Sequence, residues 1–173
     1  MATRIFIDGQ EGTTGLQIHE RLARRSDLTL LEIPADQRKN PEVKREILRQ
    51  ADVAVLCLPD AAAVETASMA GPDTRLLDAS TAHRVHPDWT YGLPELEPGA
   101  RAAIAGAARV ANPGCWPTGF LLAVRPLVSA GILPPDYPVN VHGQSGYSGG
   151  GKQMIADYLA ANNPKLDSPR PYA

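Results

Sequence analysis

A cysteine stands within the segment Asn112–Val124, which reads NPGCWPTGFLLAV. Pro113 and Gly114 predict a turn before Cys115, and an apolar helical pattern begins just after it. A thiol at the positive end of a helix has a pKa below the ordinary cysteine value of about 8.5. The alternative role, a small buried packing residue, is the commoner one for a free cysteine. Because rigid framing by proline and glycine is unusual for a packing residue, we interpret Cys115 as a nucleophile.

Three glycines at a G-x-x-G-x-x-G spacing separate the first predicted strand from the first predicted helix. They are Gly9, Gly12 and Gly15, and Thr13 and Thr14 add hydroxyl groups between them. Small residues let backbone N–H groups approach a pyrophosphate at the positive end of a helix. A tight turn without a ligand is the alternative, but the strand–turn–helix context favours dinucleotide binding.

The residues after the second predicted strand give opposing indications about the dinucleotide. Glu32 stands where an acidic residue binds the ribose diol of NAD. Arg38 and Lys39 follow in the next loop and suit the extra phosphate of NADP. The basic pair would equally serve as a solvated surface, so the residues alone favour NADP only slightly.

Two further strand ends carry candidate binding groups. Leu58 and Pro59 end the third strand in CLPD and are predicted to shape a loop near the nicotinamide, while Cys57 before them is interpreted as packing. Ser80 offers a hydrogen-bond donor after the fourth strand, and Arg84 is a fork suited to phosphate or carboxylate. A surface ion pair is the alternative for Arg84. No metal site is predicted, because nothing completes a ligand set around the nearby histidines.

Alternating strand and helix patterns position these groups. Four short strands alternate with helices up to residue 80, and Asn40 with Pro41 predicts the start of the second helix. This rhythm predicts an α/β fold with a doubly wound, Rossmann-type parallel sheet, followed by the start of an α+β substrate domain. Residues 1–114 are predicted to form the NADP-binding domain and 115–173 an incomplete substrate domain. Further strands are predicted over 103–112 and 137–144.

Composition excludes several function classes. The chain has 173 residues, 43% of them hydrophobic, and a net charge of -2. This charge gives no reason to expect nucleic acid or a membrane surface as a partner. Two distant cysteines and the absence of an export signal predict a reducing, cytoplasmic location.

The motifs together resemble one enzyme family. GQEGTTGLQI, CLPD, LLDASTAHRV, YGLPE, NPGCWPTG and SGYSGGGK occur in the order found in the shorter subfamily of N-acetyl-gamma-glutamyl-phosphate reductases. The resemblance covers essentially the whole chain, and NPGC with DASTAHR is quite specific. It implies NADPH-dependent reduction of an acyl phosphate in arginine biosynthesis, by a homo-oligomer with a small-molecule substrate.

The resemblance also implies roles for individual residues. Cys115 would attack the acyl phosphate, release inorganic phosphate and form a thioester, which hydride from NADPH would convert to the semialdehyde. The other implied contacts are with substrate (Arg84, Asn112, Ser145 and Gly146) and with the coenzyme pyrophosphate (Gly9, Gly12 and Gly15).

One departure from the family pattern qualifies this interpretation. Relatives run to around 300 residues and carry a catalytic histidine beyond SGYSGGGK, a region that this sequence does not reach. We therefore expect a truncated chain with little or no turnover that retains coenzyme binding. An aspartate-semialdehyde dehydrogenase-like enzyme and a non-catalytic dinucleotide-binding module are the alternatives.

Overall fold

A computed structural model describes residues 2–9 and 13–160, without the side chain of Thr13. Six strands form one sheet in the order β2-β1-β3-β4-β6-β5, and every pairing is parallel. The strands are β1 (Thr3–Asp8), β2 (Leu28–Leu31), β3 (Val53–Leu56), β4 (Arg75–Asp78), β5 (Thr90–Tyr91) and β6 (Arg109–Ala111). The helices are α1 (Thr13–Leu22), α2 (Pro41–Gln50), α3 (Asp60–Met69), α4 (Ala100–Gly106), α5 (Cys115–Ser129) and α6 (Gly151–Leu159). Short 3-10 turns cover Ala35–Gln37 and Tyr147–Gly150.

Helices cover both faces of the sheet, which confirms the predicted doubly wound α/β class. Ile5, Ile7 and Val55 pack with Ile18 and Leu22 of α1 on one face. The opposite face carries a larger cluster with α2 and α3, formed by Phe6, Ile33, Ile47, Leu48, Ala51, Ala54, Leu56 and Leu76. Alternating side chains of each buried strand therefore fill the two layers.

The start of α2 follows the sequence prediction. The Asn40 side chain accepts a hydrogen bond from the Glu42 backbone N–H at 3.0 Å, and Pro41 is the first helical residue. Helix α3 has no such cap: Pro59 precedes it, Asp60 is its first residue, and no side chain makes a capping hydrogen bond.

Two strand predictions also need correction. The segment 103–112 contains the end of α4 before the three-residue strand β6, because its alanines favour a helix. Residues 137–144 form no strand. Val139 and Val141 are 44% and 57% exposed, so the alternating pattern finds no neighbouring strand or core to pair with.

The described residues divide into two compact units at Pro138. The first contains the whole sheet and α1 to α5. The second contains the turn at Tyr147–Gly150 and α6, where the rings of Tyr147 and Tyr158 stack with centroids 5.0 Å apart. The predicted functional boundary after residue 114 stays a prediction.

Candidate active site

The strand order reverses between β1 and β3, which is where open parallel sheets bind ligands. Asp8, Leu56, Asp78 and Ala111 pair in one row across β1, β3, β4 and β6. Neighbouring strands lie about 4.8 Å apart, so this row spans about 14 Å. The residues that follow it, from Gly9 to Asn112, therefore form a single edge at the carboxyl ends of the strands.

Gly9 forms the turn at the end of β1 and has no room for a side chain. Its φ is +86°, a left-handed conformation that favours glycine. A Cβ built there would lie 2.2 Å from the Cys57 carbonyl oxygen and 3.3 Å from Leu58 Cδ2. The turn after β1 thus packs directly against the backbone that follows β3, and a side chain at position 9 would not fit there.

The other residues of the glycine motif are placed less completely. Gly15 is buried in the first turns of α1, and Thr14 is exposed in the same helix. Gly12 lies outside the described residues, and Thr13 is the first residue of α1. Their proposed contacts with a coenzyme therefore stay predictions.

A buried charged cluster fixes the end of β1. Asp8 Oδ2 lies 2.8 Å from Lys44 Nζ and accepts a hydrogen bond from Thr66 Oγ1 at 3.0 Å. The Asp8 and Lys44 side chains are only 12% and 18% exposed. The cluster joins α2 and α3 to the strand that carries Gly9. An acidic residue at the end of an apolar strand was the sequence signal for it.

Cys57 is a half-buried thiol. Burial, together with the nearby carboxylates of Asp78 and Asp8, raises the pKa of Cys57 to about 11. Because the thiolate is the reactive form, this residue is a poor nucleophile near neutral pH. The physical setting agrees with its interpretation as packing.

The loops after β3 and β4 are joined directly. Asp60 accepts hydrogen bonds from the Thr81 backbone N–H at 2.9 Å and from the Thr81 hydroxyl. These bonds hold the pKa of the Asp60 carboxyl below its ordinary value. The hydrogen bonds between Asp60 and Thr81 hold the segment Leu58–Pro59 beside the segment that carries Ser80. Sequence reasoning missed this contact because the partners are 21 residues apart.

Asp78 organises the loop after β4. Its carboxylate accepts hydrogen bonds from Ser80 Oγ at 2.6 Å and from His83 Nδ1 at 2.6 Å. The His83 ring is buried and stacks on Trp89 with centroids 4.0 Å apart. The Ser80 hydroxyl therefore donates its hydrogen bond to Asp78. The contact of Ser80 with a coenzyme stays a prediction.

Arg84 lies against the turn that precedes Cys115. Its Nε donates to the Asn112 carbonyl at 3.2 Å and its Nη2 to the Ala79 carbonyl at 3.2 Å. A Cβ at Gly114 would lie 2.8 Å from Arg84 Nη1. The fixed guanidinium group therefore occupies the space that a larger residue would take at position 114.

Cys115 is exposed and is the first residue of α5. The Gly114 carbonyl accepts hydrogen bonds from the Thr118 backbone N–H at 3.0 Å and the Thr118 hydroxyl at 2.7 Å. The first N–H groups of a helix have no intrahelical acceptor. In α5 the backbone N–H groups of Cys115 and Trp116 are two such donors. The predicted nucleophile Cys115, the Arg84 cation and these backbone donors thus lie at one turn, an arrangement that would suit acyl transfer.

The predicted coenzyme-selecting residues follow β2. Glu32 is exposed, and its Oε1 lies 2.9 Å from His19 Nε2 of α1. Arg38 is half-buried and Lys39 is exposed, just after the 3-10 turn Ala35–Gln37. His19 was not identified from sequence, because no spacing rule connects it to Glu32.

The remaining predicted substrate residues belong to the second compact unit. Ser145 is exposed and its hydroxyl donates to the Gly146 carbonyl at 3.2 Å. A Cβ at Gly149 would lie 2.7 Å from Ser145 Oγ, so the loop folds closely on itself. The roles of Ser145 and Gly146 stay predictions.

Over residues 2–9 and 13–160, no helix has the length and apolar character needed to cross a membrane. Within the same described ranges, no three His, Cys, Asp or Glu residues form a group suited to hold a metal ion.

Family models match the chain in two segments. Residues 4–105 match the model described as semialdehyde dehydrogenase, NAD binding domain. The chain belongs to the semialdehyde dehydrogenase family. Residues 115–173 match the model for the dimerisation domain of the same family.

Curated relatives of this chain support the resemblance seen in the sequence. N-acetyl-gamma-glutamyl-phosphate reductases of Brucella ovis and Brucella canis are each 56% identical to it. Each match covers 94% of this chain but only 56% of the relative, so the chain spans about half the length of these curated proteins. The predicted resemblance is confirmed.

Solved structures support the fold. Aspartate semialdehyde dehydrogenase II of Vibrio cholerae, in complex with ASA, has a TM-score of 0.64 at 19% identity, covering 91% of this chain and 51% of that one. The aspartate semialdehyde dehydrogenase of Francisella tularensis has a TM-score of 0.64 at 16% identity, covering 91% and 48%. At such identities the likeness concerns the fold alone.

Proposed function

We propose that this chain carries the coenzyme site and the nucleophile of an N-acetyl-gamma-glutamyl-phosphate reductase. The reaction is the NADPH-dependent conversion of N-acetyl-gamma-glutamyl phosphate to N-acetyl-glutamate semialdehyde and phosphate, a cytoplasmic step of arginine biosynthesis. The carrying observation is the Arg84 guanidinium group held against Gly114, directly before the exposed Cys115 at the start of α5. The 56% identity to reductases of this name supports the choice of substrate.

The first step is acyl transfer to sulfur. The Cys115 thiolate attacks the acyl carbonyl, an S–C bond forms, and the C–O bond to phosphate breaks. Arg84 binds the phosphate and stabilises its charge as it leaves. The free N–H groups of Cys115 and Trp116 donate to the carbonyl oxygen as negative charge develops on it. Asn112, Ser145 and Gly146 are the other proposed substrate-binding residues.

The coenzyme completes the reaction. NADPH supplies the hydride that reduces the thioester to the aldehyde level. Gly9 suits contact with the coenzyme pyrophosphate, because its crowded, positive-φ turn leaves only backbone at the crevice. Other proposed coenzyme contacts are Gly12, Thr13, Thr14, Gly15, Leu58, Pro59 and Ser80, with Arg38 and Lys39 at the 2′-phosphate. The products of this step would be the semialdehyde, NADP⁺ and the regenerated Cys115 thiolate.

Self-association is part of the proposal. α5 is strongly apolar in sequence, yet none of its residues is buried, and Leu122 and Leu127 are 44% and 42% exposed. The same helix opens the segment matched by the dimerisation-domain model. We therefore expect a homo-oligomer, which sedimentation velocity would show as a species heavier than 18.5 kDa. A monomer at all concentrations would remove this part of the proposal.

The acyl-transfer step can be tested on the chain itself, since it depends on Cys115 and Arg84. The purified chain is mixed with N-acetyl-gamma-glutamyl phosphate, and released phosphate is measured above the spontaneous rate. We expect about one equivalent per chain, abolished in Cys115→Ser and retained in the matched Cys57→Ser variant. Phosphate release that persists in Cys115→Ser would refute the nucleophile.

Parallel reactions separate the alternatives. Faster acylation by β-aspartyl phosphate would favour an aspartate-semialdehyde dehydrogenase-like enzyme. NADPH binding without any acyl transfer would favour a non-catalytic dinucleotide-binding module.

A further inference from the structure

Glu32 points towards α1. It follows β2 directly, where an acidic side chain binds the adenosine ribose of NAD in nucleotide-binding sheets. Side chains alternate along the strand: Leu28 and Leu30 pack with α1, whereas Leu31 and Ile33 pack in the cluster on the other face. The alternation places Glu32 on the α1 side.

His19 of α1 binds that carboxylate. Its Nε2 lies 2.9 Å from Glu32 Oε1. A carboxylate only accepts hydrogen bonds, so the imidazole N–H is the donor. The side chains are 30% exposed for His19 and 58% exposed for Glu32, which leaves the pair at the surface. The adenosine end of a dinucleotide in the β1–β3 crevice would reach this surface.

We propose that His19 is a specificity-determining residue for the coenzyme, an inference that rests on the proposed NADP-dependent function. By holding Oε1 of Glu32, the imidazole takes up an acceptor that the ribose 2′-hydroxyl of NAD would use. It also reduces the negative potential that a 2′-phosphate would meet. Arg38 and Lys39 then supply the positive charge. The pair explains how an acidic residue at the NAD-selecting position coexists with a basic pair suited to NADP.

A purely structural ion pair predicts something different. Exposed ion pairs contribute little to stability, so removing one side chain should leave the fold and both coenzyme affinities nearly unchanged. A specificity role predicts a change in the ratio of the NADPH and NADH affinities. That ratio is insensitive to a general loss of folded protein, because both affinities are measured on the same sample.

The test is a double-mutant cycle on the whole chain, with NADPH and NADH dissociation constants measured by calorimetry. Wild type is expected to prefer NADPH, and His19→Ala to lower this preference about tenfold, because the uncompensated carboxylate repels the 2′-phosphate. Glu32→Gln should keep or raise the preference. In the double variant, loss of His19 should have no further effect. Gln17→Ala, an exposed change on the same helix, is the control and should match wild type.

A conservative variant guards against a folding defect. His19→Gln retains an N–H donor and should keep most of the NADPH preference, with circular dichroism confirming the fold of each variant. If wild type prefers NADPH and His19→Ala keeps the same ratio within twofold, the inference is overturned while the proposed function stands. If wild type prefers NADH or binds neither coenzyme, the proposed coenzyme function fails and the inference fails with it.

Discussion

Replacing Gly9 with alanine tests whether the close approach of β1 to β3 is a real constraint. The substituted residue would keep a φ of +86°, which costs an L-residue about 1–2 kcal/mol. Its Cβ would also lie 2.2 Å from the Cys57 carbonyl oxygen. An ordinary C···O contact is about 3.3 Å, so the backbones must separate by about 1 Å.

Overpacking of this kind costs about 1–3 kcal/mol in a well-packed interior. The total expected loss in the free energy of unfolding is therefore about 2–5 kcal/mol, a large part of a typical domain's stability of about 5–15 kcal/mol. Urea unfolding followed by circular dichroism measures it. NADPH affinity should fall in the same variant, because the displaced turn is the proposed pyrophosphate site.

Gly99 provides the matched control. Its φ is +90°, but a Cβ there meets nothing within 4 Å. Gly99→Ala should therefore show only the conformational cost of about 1–2 kcal/mol. The difference between the two variants isolates the contact with Cys57. Equal losses in both, within about 0.5 kcal/mol, would refute the claim that this contact constrains the turn.

Four other outcomes are expected. Because its pKa is raised to about 11, only about 0.03% of Cys57 is thiolate near pH 7.5, so iodoacetamide should label the exposed Cys115 much faster than Cys57; equal rates, read by peptide mass spectrometry, would contradict this. Because the pKa of Cys57 is about 11 in the folded chain and an unfolded cysteine has an ordinary pKa of about 8.5, the free energy of unfolding should fall between about pH 9 and 11; denaturation of Cys57→Ala should show a shallower decline, and an identical one would count against the assignment. Gly114→Ala should displace the Arg84 guanidinium group and weaken the protection of Cys115 from iodoacetamide by phosphate; unchanged protection would separate Arg84 from the anion site. Asn40→Ala should cost about 1 kcal/mol in urea unfolding through loss of the α2 cap, whereas no loss would show the cap to be dispensable.

Local chemistry made much of the fold predictable. The start of α2 follows from Asn40 and Pro41, because capping depends on residues adjacent in sequence. The sheet core follows from apolar runs such as Val53–Leu56, which suit a strand buried on both faces. The prediction of a strand over 137–144 was wrong, because an alternating pattern alone supplies neither a neighbouring strand nor a core.

The sequence predicts candidate site residues but not the contacts that these residues make. Cys115 was identified as a nucleophile by its neighbours, and the structure places it, exposed, at the start of a helix. The contact of Arg84 with Gly114 depends on β4 lying beside β6, a long-range pairing that no local pattern specifies. The buried Asp78–His83 pair was missed for a different reason. Its partners are five residues apart, but their geometry depends on how the loop folds against Trp89.

The central claim is that Cys115 takes up the acyl group, and peptide mapping tests it most directly. The chain is mixed with N-acetyl-gamma-glutamyl phosphate, quenched in acid, digested and examined by tandem mass spectrometry, with and without hydroxylamine, which cleaves thioesters. We expect an N-acetyl-glutamyl group on the Cys115 peptide, and we expect hydroxylamine to remove it. An acyl group confined to Cys57, or no adduct on either thiol, would contradict it.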